Sequence, residues 1–485
     1  MSETRSAATG FPTLRIRPDS FEARGAFAET QAIWLRPDRA AVARIDRLLA
    51  AGDIGVVAHF YMDAELQGVL SAASWPHIHI SDSLVMADRA VAMVEAGARA
   101  IVVLGVDFMS ENVRAMLDAA GHDRVPVFRV AAEPIGCSLA ASAEDVGYGA
   151  WLTQAAATPR SLHVVYINTS LATKAKSHAL VPTITCTSSN VVHTVLQAAA
   201  QIADLHVWFG PDTYMGHNLQ ALFAGAVALG PDAVAALHPA HDEATLAGLA
   251  ARFHPFEQGA CVVHHLFGAD VVARVRRDHA DAYLTAHLEV PGEMFALAAE
   301  AQRRGRGVVG STSDLLKFIQ ARVDEAVARP EAATLAFVLG TEAGMVTAIV
   351  RRVQAALVAS GRTDIAVDII FPVASEAISA TGEADLGVVP GVPSGEGCST
   401  AGGCATCPYM KMNSLDALIG LVETLAAGNV AALDAFRPRK YADNVTLPGG
   451  GERTVADLGS EPILFMRDLQ RSGRLPEALV RMVVG

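Results

Sequence analysis

Positive charge is what this sequence has too little of: 38 Lys and Arg stand against 51 Asp and Glu over 485 residues, a formal net charge of −13. A nucleic-acid footprint needs a basic stripe, so nucleic acid is excluded as a partner and any anionic substrate must be held locally. Cysteine is scarce as well. Six thiols in a chain this long are too few for a disulfide framework, which leaves a buried, reduced side chain as the ordinary state of each. No apolar run approaches the roughly 18 residues of a membrane span, and Met1 to Gly10 lacks the charged-then-apolar layout of a secretion signal. A cytoplasmic protein with no membrane partner is expected.

What the chain has in quantity is apolar material, at 51% of residues and a mean hydropathy of +0.30. Its length suggests about three domains. Short apolar runs recur at 54–58, 100–104, 125–128, 163–167, 205–209 and 334–339. Each is too short for a core helix and is flanked by turn residues, as a fully buried strand would be. Ala-rich helical stretches lie between them, for example Asp82 to Gly97 and Ser189 to Ala203. Alternating strand and helix predicts an α/β fold of parallel sheets covered on both faces. Residues 1 to about 40 read as a loosely held extension, and the stretches 211–258 and 361–403 as insertions.

Polar clusters punctuate the strand ends, where ligands bind in open α/β sheets. They include His59-Phe-Tyr61, Gly105-Val-Asp-Phe-Met109, Tyr166-Ile-Asn168, Gly210-Pro-Asp212, His287-Leu-Glu289 and Gly310-Ser-Thr312. Half the cysteines crowd into one Gly-rich stretch as Cys398, Cys404 and Cys407. Clustered thiols suit zinc or iron-sulfur centres, yet neither two Cys pairs nor a Cys pair with a His pair occurs locally. Further ligands must come from elsewhere in the chain.

These clusters, with Ser81-Asp-Ser83, Gly136-Cys137, Cys186-Thr-Ser-Ser-Asn190, Cys261-Val-Val-His264 and Cys407-Pro-Tyr-Met-Lys411, occur in the order seen in quinolinate synthases. The chain resembles that family from about residue 54 to 420. The resemblance implies three related three-layer α/β/α domains around a pseudo-threefold axis. Their expected spans are 46–144, 145–264 and 265–408, after an extension over 1–45 and before a helical segment over 409–485 that packs on the first domain. Each domain is implied to donate one ligand, Cys137, Cys261 or Cys407, to a central [4Fe-4S] cluster with one iron left open.

An open iron is a Lewis acid that can polarise a carboxylate or hydroxyl for loss of water. The implied reaction joins iminoaspartate to dihydroxyacetone phosphate, releasing phosphate and two waters, to make quinolinate for NAD biosynthesis. The resemblance implies His59, Tyr61 and Glu289 as proton carriers. It implies a binding set of Ser83, Phe108, Met109, Tyr166, Ile167, Asn168, Ser188, His264, His287, Leu288, Ser311 and Thr312. Ser188, Ser311 and Thr312 sit where helices should begin, so they suit either anion binding or plain N-capping. Lys174, Lys411 and Cys186 read as structural.

Three other readings are open to the residues alone. A zinc hydrolase would want closely spaced histidines, a radical enzyme Cys-x-x-x-Cys-x-x-Cys, and an iron-sulfur sensor no polar strand ends. The sequence leaves a monomer or a homodimer open, as well as transient contact with the enzyme that supplies iminoaspartate.

Overall fold

The computed structural model describes residues 10–372, 406–439, 441–447 and 450–485. Strands follow in chain order as β1 (Thr13–Ile16), β2 (Phe21–Arg24), β3 (Ile54–His59), β4 (Ile78–Ser81), β5 (Ala100–Leu104), β6 (Val127–Arg129) and β7 (Ser161–Tyr166). Then come β8 (Thr183–Cys186), β9 (His206–Gly210), β10 (Phe253–Pro255), β11 (Tyr283–His287), β12 (Gly307–Gly310), β13 (Ala333–Gly340) and β14 (Ile365–Ile370). The chain divides into two compact units, one of 1–42, 60–72 and 262–411, the other of 43–59, 73–261 and 412–485.

The first unit is built on one sheet in the order β12-β11-β13-β14-β1-β2. Its four central-to-edge strands β11 to β14 are parallel, and β1 and β2 join antiparallel. The second unit holds two parallel four-stranded sheets, β4-β3-β5-β6 and β10-β9-β7-β8. Helices flank all three, as expected of three-layer α/β/α construction. Strands such as β3, β5, β7 and β8 are buried along their whole length, which is why they read as continuous apolar runs rather than alternating ones.

Apart from a small two-stranded antiparallel sheet of Asn444–Thr446 and Glu452–Thr454, the three large sheets repeat one topology. Numbering the four parallel strands of each in chain order, the spatial order is 2-1-3-4 every time. Strand order reverses between the first and third strands, and the carboxyl ends of those strands flank the crevice where such sheets take ligands. That rule points to the ends of β3 and β5, of β7 and β9, and of β11 and β13.

Two expectations are revised here. The amino-terminal region is tied down: Leu14 and Ile16, two apart on one face of β1, are fully buried, and Arg15 pairs with Asp368 of β14 at 2.7 Å. Burying two such side chains contributes about 1.5–3 kcal/mol each, enough to hold a short hairpin on a sheet. The stretch 211–258 is the crossover from β9 to β10. It carries helices Thr213–Leu229, Pro231–Leu237 and Glu243–Ala251 before adding the fourth strand. One helical stretch, Ala343–Ser360, is apolar and long enough to cross a membrane by composition, and half of it is buried inside the protein.

Candidate functional site

In the first unit Tyr61, His264, His287, Glu289, Thr312, Thr341 and Glu342 form a connected group. Tyr61 leaves the end of β3 and is held from behind. Gln67 spans the carbonyls of Met62 at 3.1 Å and Gly344 at 2.5 Å. A Cβ on Gly344 would press into the backbone of Phe60 and Tyr61, so only glycine lets the two segments lie together. The Tyr61 hydroxyl then lies 2.9 Å from Thr312 Oγ1 and 3.3 Å from Thr341 Oγ1.

Thr341 passes the contact on, with Oγ1 3.2 Å from His264 Nε2. On the other side of that ring, Nδ1 lies 2.9 Å from Glu289 Oε2, a close contact without hydrogen-bond alignment. His287 stacks on His264 with centroids 4.8 Å apart. All of these side chains except Tyr61 are less than a tenth exposed, and a polar network this dry is electrostatically strong.

Burial sets the proton inventory. The Tyr61 phenol is pushed well above its ordinary value by burial, then by the negative charges of Glu289 and Glu342; it stays a donor at neutral pH. His287 is pushed down to about 4, chiefly by burial. Its Nδ1 accepts the Glu289 N–H at 3.3 Å, so this neutral imidazole carries its proton on Nε2. Burial also drives the Glu342 carboxyl well above the usual range, opposed by the N–H of Cys407, which it accepts at 2.5 Å.

Ser311 and Thr312 divide their duties. Ser311 caps helix Thr312–Val327 in a capping box with Asp314: both its N–H and its hydroxyl reach Asp314 Oδ2, at 2.9 and 2.7 Å. Thr312 faces Tyr61. Leu288 is buried between His287 and Glu289. Cys407 is partly buried, and Lys411 close by is pushed down by burial against the charges of Asp63, Glu342 and Cys407.

The second unit presents the other expected residues on its own two sheets. His59 closes β3 and is nearly buried, and Ser83 opens helix Ser83–Glu95, whose cap is Asp82. Phe108 and Met109 lie buried in the first turn of helix Asp107–Ala119. Tyr166 and Ile167 are buried at the end of β7, while Asn168 and Ser188 are partly exposed. Helix Val191–Gln201 begins at Asn190, so Ser188 sits in the turn ahead of the cap.

The segments that carry Cys137 and Cys261 meet. Cys137 is the N-cap of helix Ser138–Glu144, and the Ser138 hydroxyl donates to the Ala260 carbonyl at 2.9 Å, 122 residues along the chain. Gly259 permits this packing, since a Cβ there would run into the carbonyl of Pro211. Cys137 also lines a cavity of about 140 Å³ together with Phe108, Glu111 and Ser170. Cys186 is different: it is fully buried, and burial pushes its thiol well up, as befits an inert core cysteine. Cys398 and Cys404 lie outside the described residues.

Each candidate ligand thus follows the fourth strand of a sheet: Cys137 follows β6, Cys261 follows β10 and Cys407 follows β14. Partly buried thiols suit soft metals, and the segments carrying Cys137 and Cys261 are tied by the Ser138 hydroxyl. Thr341 and Glu342 were not singled out in the sequence. Their signal is the third-strand ending Gly340-Thr-Glu342, which matches Gly105-Val-Asp107 and Gly210-Pro-Asp212.

A family model described as quinolinate synthetase A protein matches residues 43–439. The chain is 52% identical over 486 residues to the chloroplastic quinolinate synthase of Nicotiana tabacum, covering 98% of this chain and 67% of that protein. It is 50% identical over 492 residues to that of Arabidopsis thaliana, covering 98% and 67%. It is 49% identical over 504 residues to that of Oryza sativa subsp. japonica, covering 99% and 70%. The chain therefore spans about two thirds of the length of these relatives. Their chloroplastic designation overturns the expectation of a cytoplasmic protein, which had rested only on the lack of a secretion signal.

Proposed function

This chain belongs to the quinolinate synthetase A family, and from that premise we propose that it condenses iminoaspartate with dihydroxyacetone phosphate to give quinolinate, phosphate and two waters. It is an enzyme of NAD biosynthesis. A plastid is the compartment favoured by the names of its relatives. The observation that carries the mechanistic reading is the buried chain of contacts from Tyr61 through Thr341 and His264 to Glu289.

Cys137, Cys261 and Cys407 would hold a [4Fe-4S] cluster, which when bound supplies a Lewis acid at its open iron. The remaining work is proton transfer. Glu289, 2.9 Å from His264 Nδ1, serves as base toward an acidic carbon or nitrogen proton. Tyr61, kept protonated by burial, donates to a departing hydroxyl and is re-protonated along Thr341 and His264. Neutral His287 offers its Nε2–H to developing negative charge, a role that suits an imidazole whose protonated form is suppressed. His59, Ser83, Phe108, Met109, Tyr166, Ile167, Asn168, Ser188 and Thr312 form the binding surface in this reading, with Phe108 and Met109 excluding water.

The test is turnover of anaerobically purified protein with the two substrates, followed as quinolinate and phosphate released in equal amounts. A brown protein that forms neither product would refute the assigned reaction while leaving the metal centre standing.

A further inference from the structure

We propose that Lys174 is a positioning residue for substrate, fixing the loop that presents Asn168. The inference rests on the reading of Asn168 as a substrate contact.

Lys174 is fully buried on helix Leu171–Leu180. Its ammonium donates to the carbonyls of Ile167, at 3.2 Å, and of Thr169. These two carbonyls flank Asn168. From Ser161 to Ser170 every residue is buried except Asn168, so the lysine pins the backbone on both sides of the one side chain the loop turns outward.

An ammonium in a dry core costs several kcal/mol unless paired. Burial pulls Lys174 down to about 7 even though the charge of Glu111 opposes that fall. Glu111 is itself buried, accepting the Leu171 N–H at 3.0 Å and the Tyr441 hydroxyl at 2.8 Å. It lies one turn beyond Phe108 on helix Asp107–Ala119. Glu111 therefore joins two strand-end segments, its own after β5 and that of Leu171 after β7. A side chain needed only to fill this core would be apolar, since replacing a buried ion pair by hydrophobes of similar volume is often neutral or stabilising. What methionine could not supply is the pair of donors that fixes Ile167 and Thr169.

The experiment measures the dissociation constant of quinolinate on the anaerobically purified full chain, with iron content recorded alongside. Lys174→Met and Asn168→Ala should each weaken binding about tenfold, with iron content unchanged. Lys174→Met combined with Asn168→Ala should bind no more weakly than Asn168→Ala alone, because the lysine acts through the asparagine. Wild-type binding by Lys174→Met while Asn168→Ala is impaired overturns the proposal and spares the substrate reading; so do losses that multiply in the double variant. Wild-type binding by Asn168→Ala alone overturns the substrate reading and the proposal with it. Should Lys174→Met fail to fold because Glu111 loses the opposite charge near it, Lys174→Met with Glu111→Gln carries the same comparison without a buried charge.

Discussion

The hydroxyl of Ser138 donates to the carbonyl of Ala260 across 122 residues of chain, joining the residue after Cys137 to the residue before Cys261. Two of the three candidate ligands are thus fixed by one bond before any metal arrives. Cys137→Ser, Cys261→Ser or Cys407→Ser should each abolish the brown colour of anaerobically purified protein, because the three ligands come from widely separated segments of the chain. Cys186→Ser, inside the core, should keep it. Iron and sulfide analysis of the four variants checks this; a full cluster in Cys261→Ser would refute the assignment.

Proton transfer should separate from cluster retention. Tyr61→Phe and Glu289→Gln are expected to keep the iron-sulfur absorbance and to lower turnover by about two orders of magnitude or more, the usual scale for a positioned acid or base. Thr341→Val should fall between these and wild type, since Tyr61 retains its 2.9 Å contact with Thr312. Steady-state rates at matched iron content decide the order.

Much of this was legible beforehand, and the reason is periodicity. Buried parallel strands read as short apolar runs, and the ends of β3, β5, β7, β9, β11 and β12 carry the quoted polar clusters. The end of β13 was passed over because Thr341 and Glu342 gain meaning only from the repeated strand order, which a single pass along the chain does not expose. The pairing of β1 with β14 spans some 350 residues, and no local pattern announces a partner so distant. Lys174 read as a structural charge because its significance lies in two backbone carbonyls, and carbonyls are the same at every position.

Acid should unfold this protein through its buried imidazoles. Burial lowers His287 to about 4 and His163, hydrogen-bonded to Tyr148 at 2.8 Å, to about 3. Both titrate near 6.5 once unfolded, so between pH 6.5 and 4 the unfolded chain binds more protons than the folded one. Stability is then fully present above 6.5 and declines as pH falls, by at most about 1.4 kcal/mol per pH unit for each group. Thermal melts across that range should show the decline, with a shallower slope in His287→Asn. An unchanged slope would mean that His287 is already charged in the folded state.

Ser311 and Ser188 should respond differently although both precede helices. The Ser311 hydroxyl and N–H are committed to Asp314, whose carboxylate occupies the helix start, whereas the partly exposed Ser188 lies in the turn ahead of the Asn190 cap. Ser311→Ala should therefore cost about 1 kcal/mol of stability, the usual loss for an N-cap, and leave the affinity for quinolinate within a factor of about two. Ser188→Ala should leave the melt unchanged and weaken quinolinate by roughly fivefold to tenfold, the loss of one hydrogen bond to a carboxylate. Binding isotherms and melts on the same preparations separate the two effects. A Ser311→Ala protein that melts like wild type yet binds tenfold more weakly would show that the ligand takes the hydroxyl from Asp314, and would return Ser311 to the binding surface.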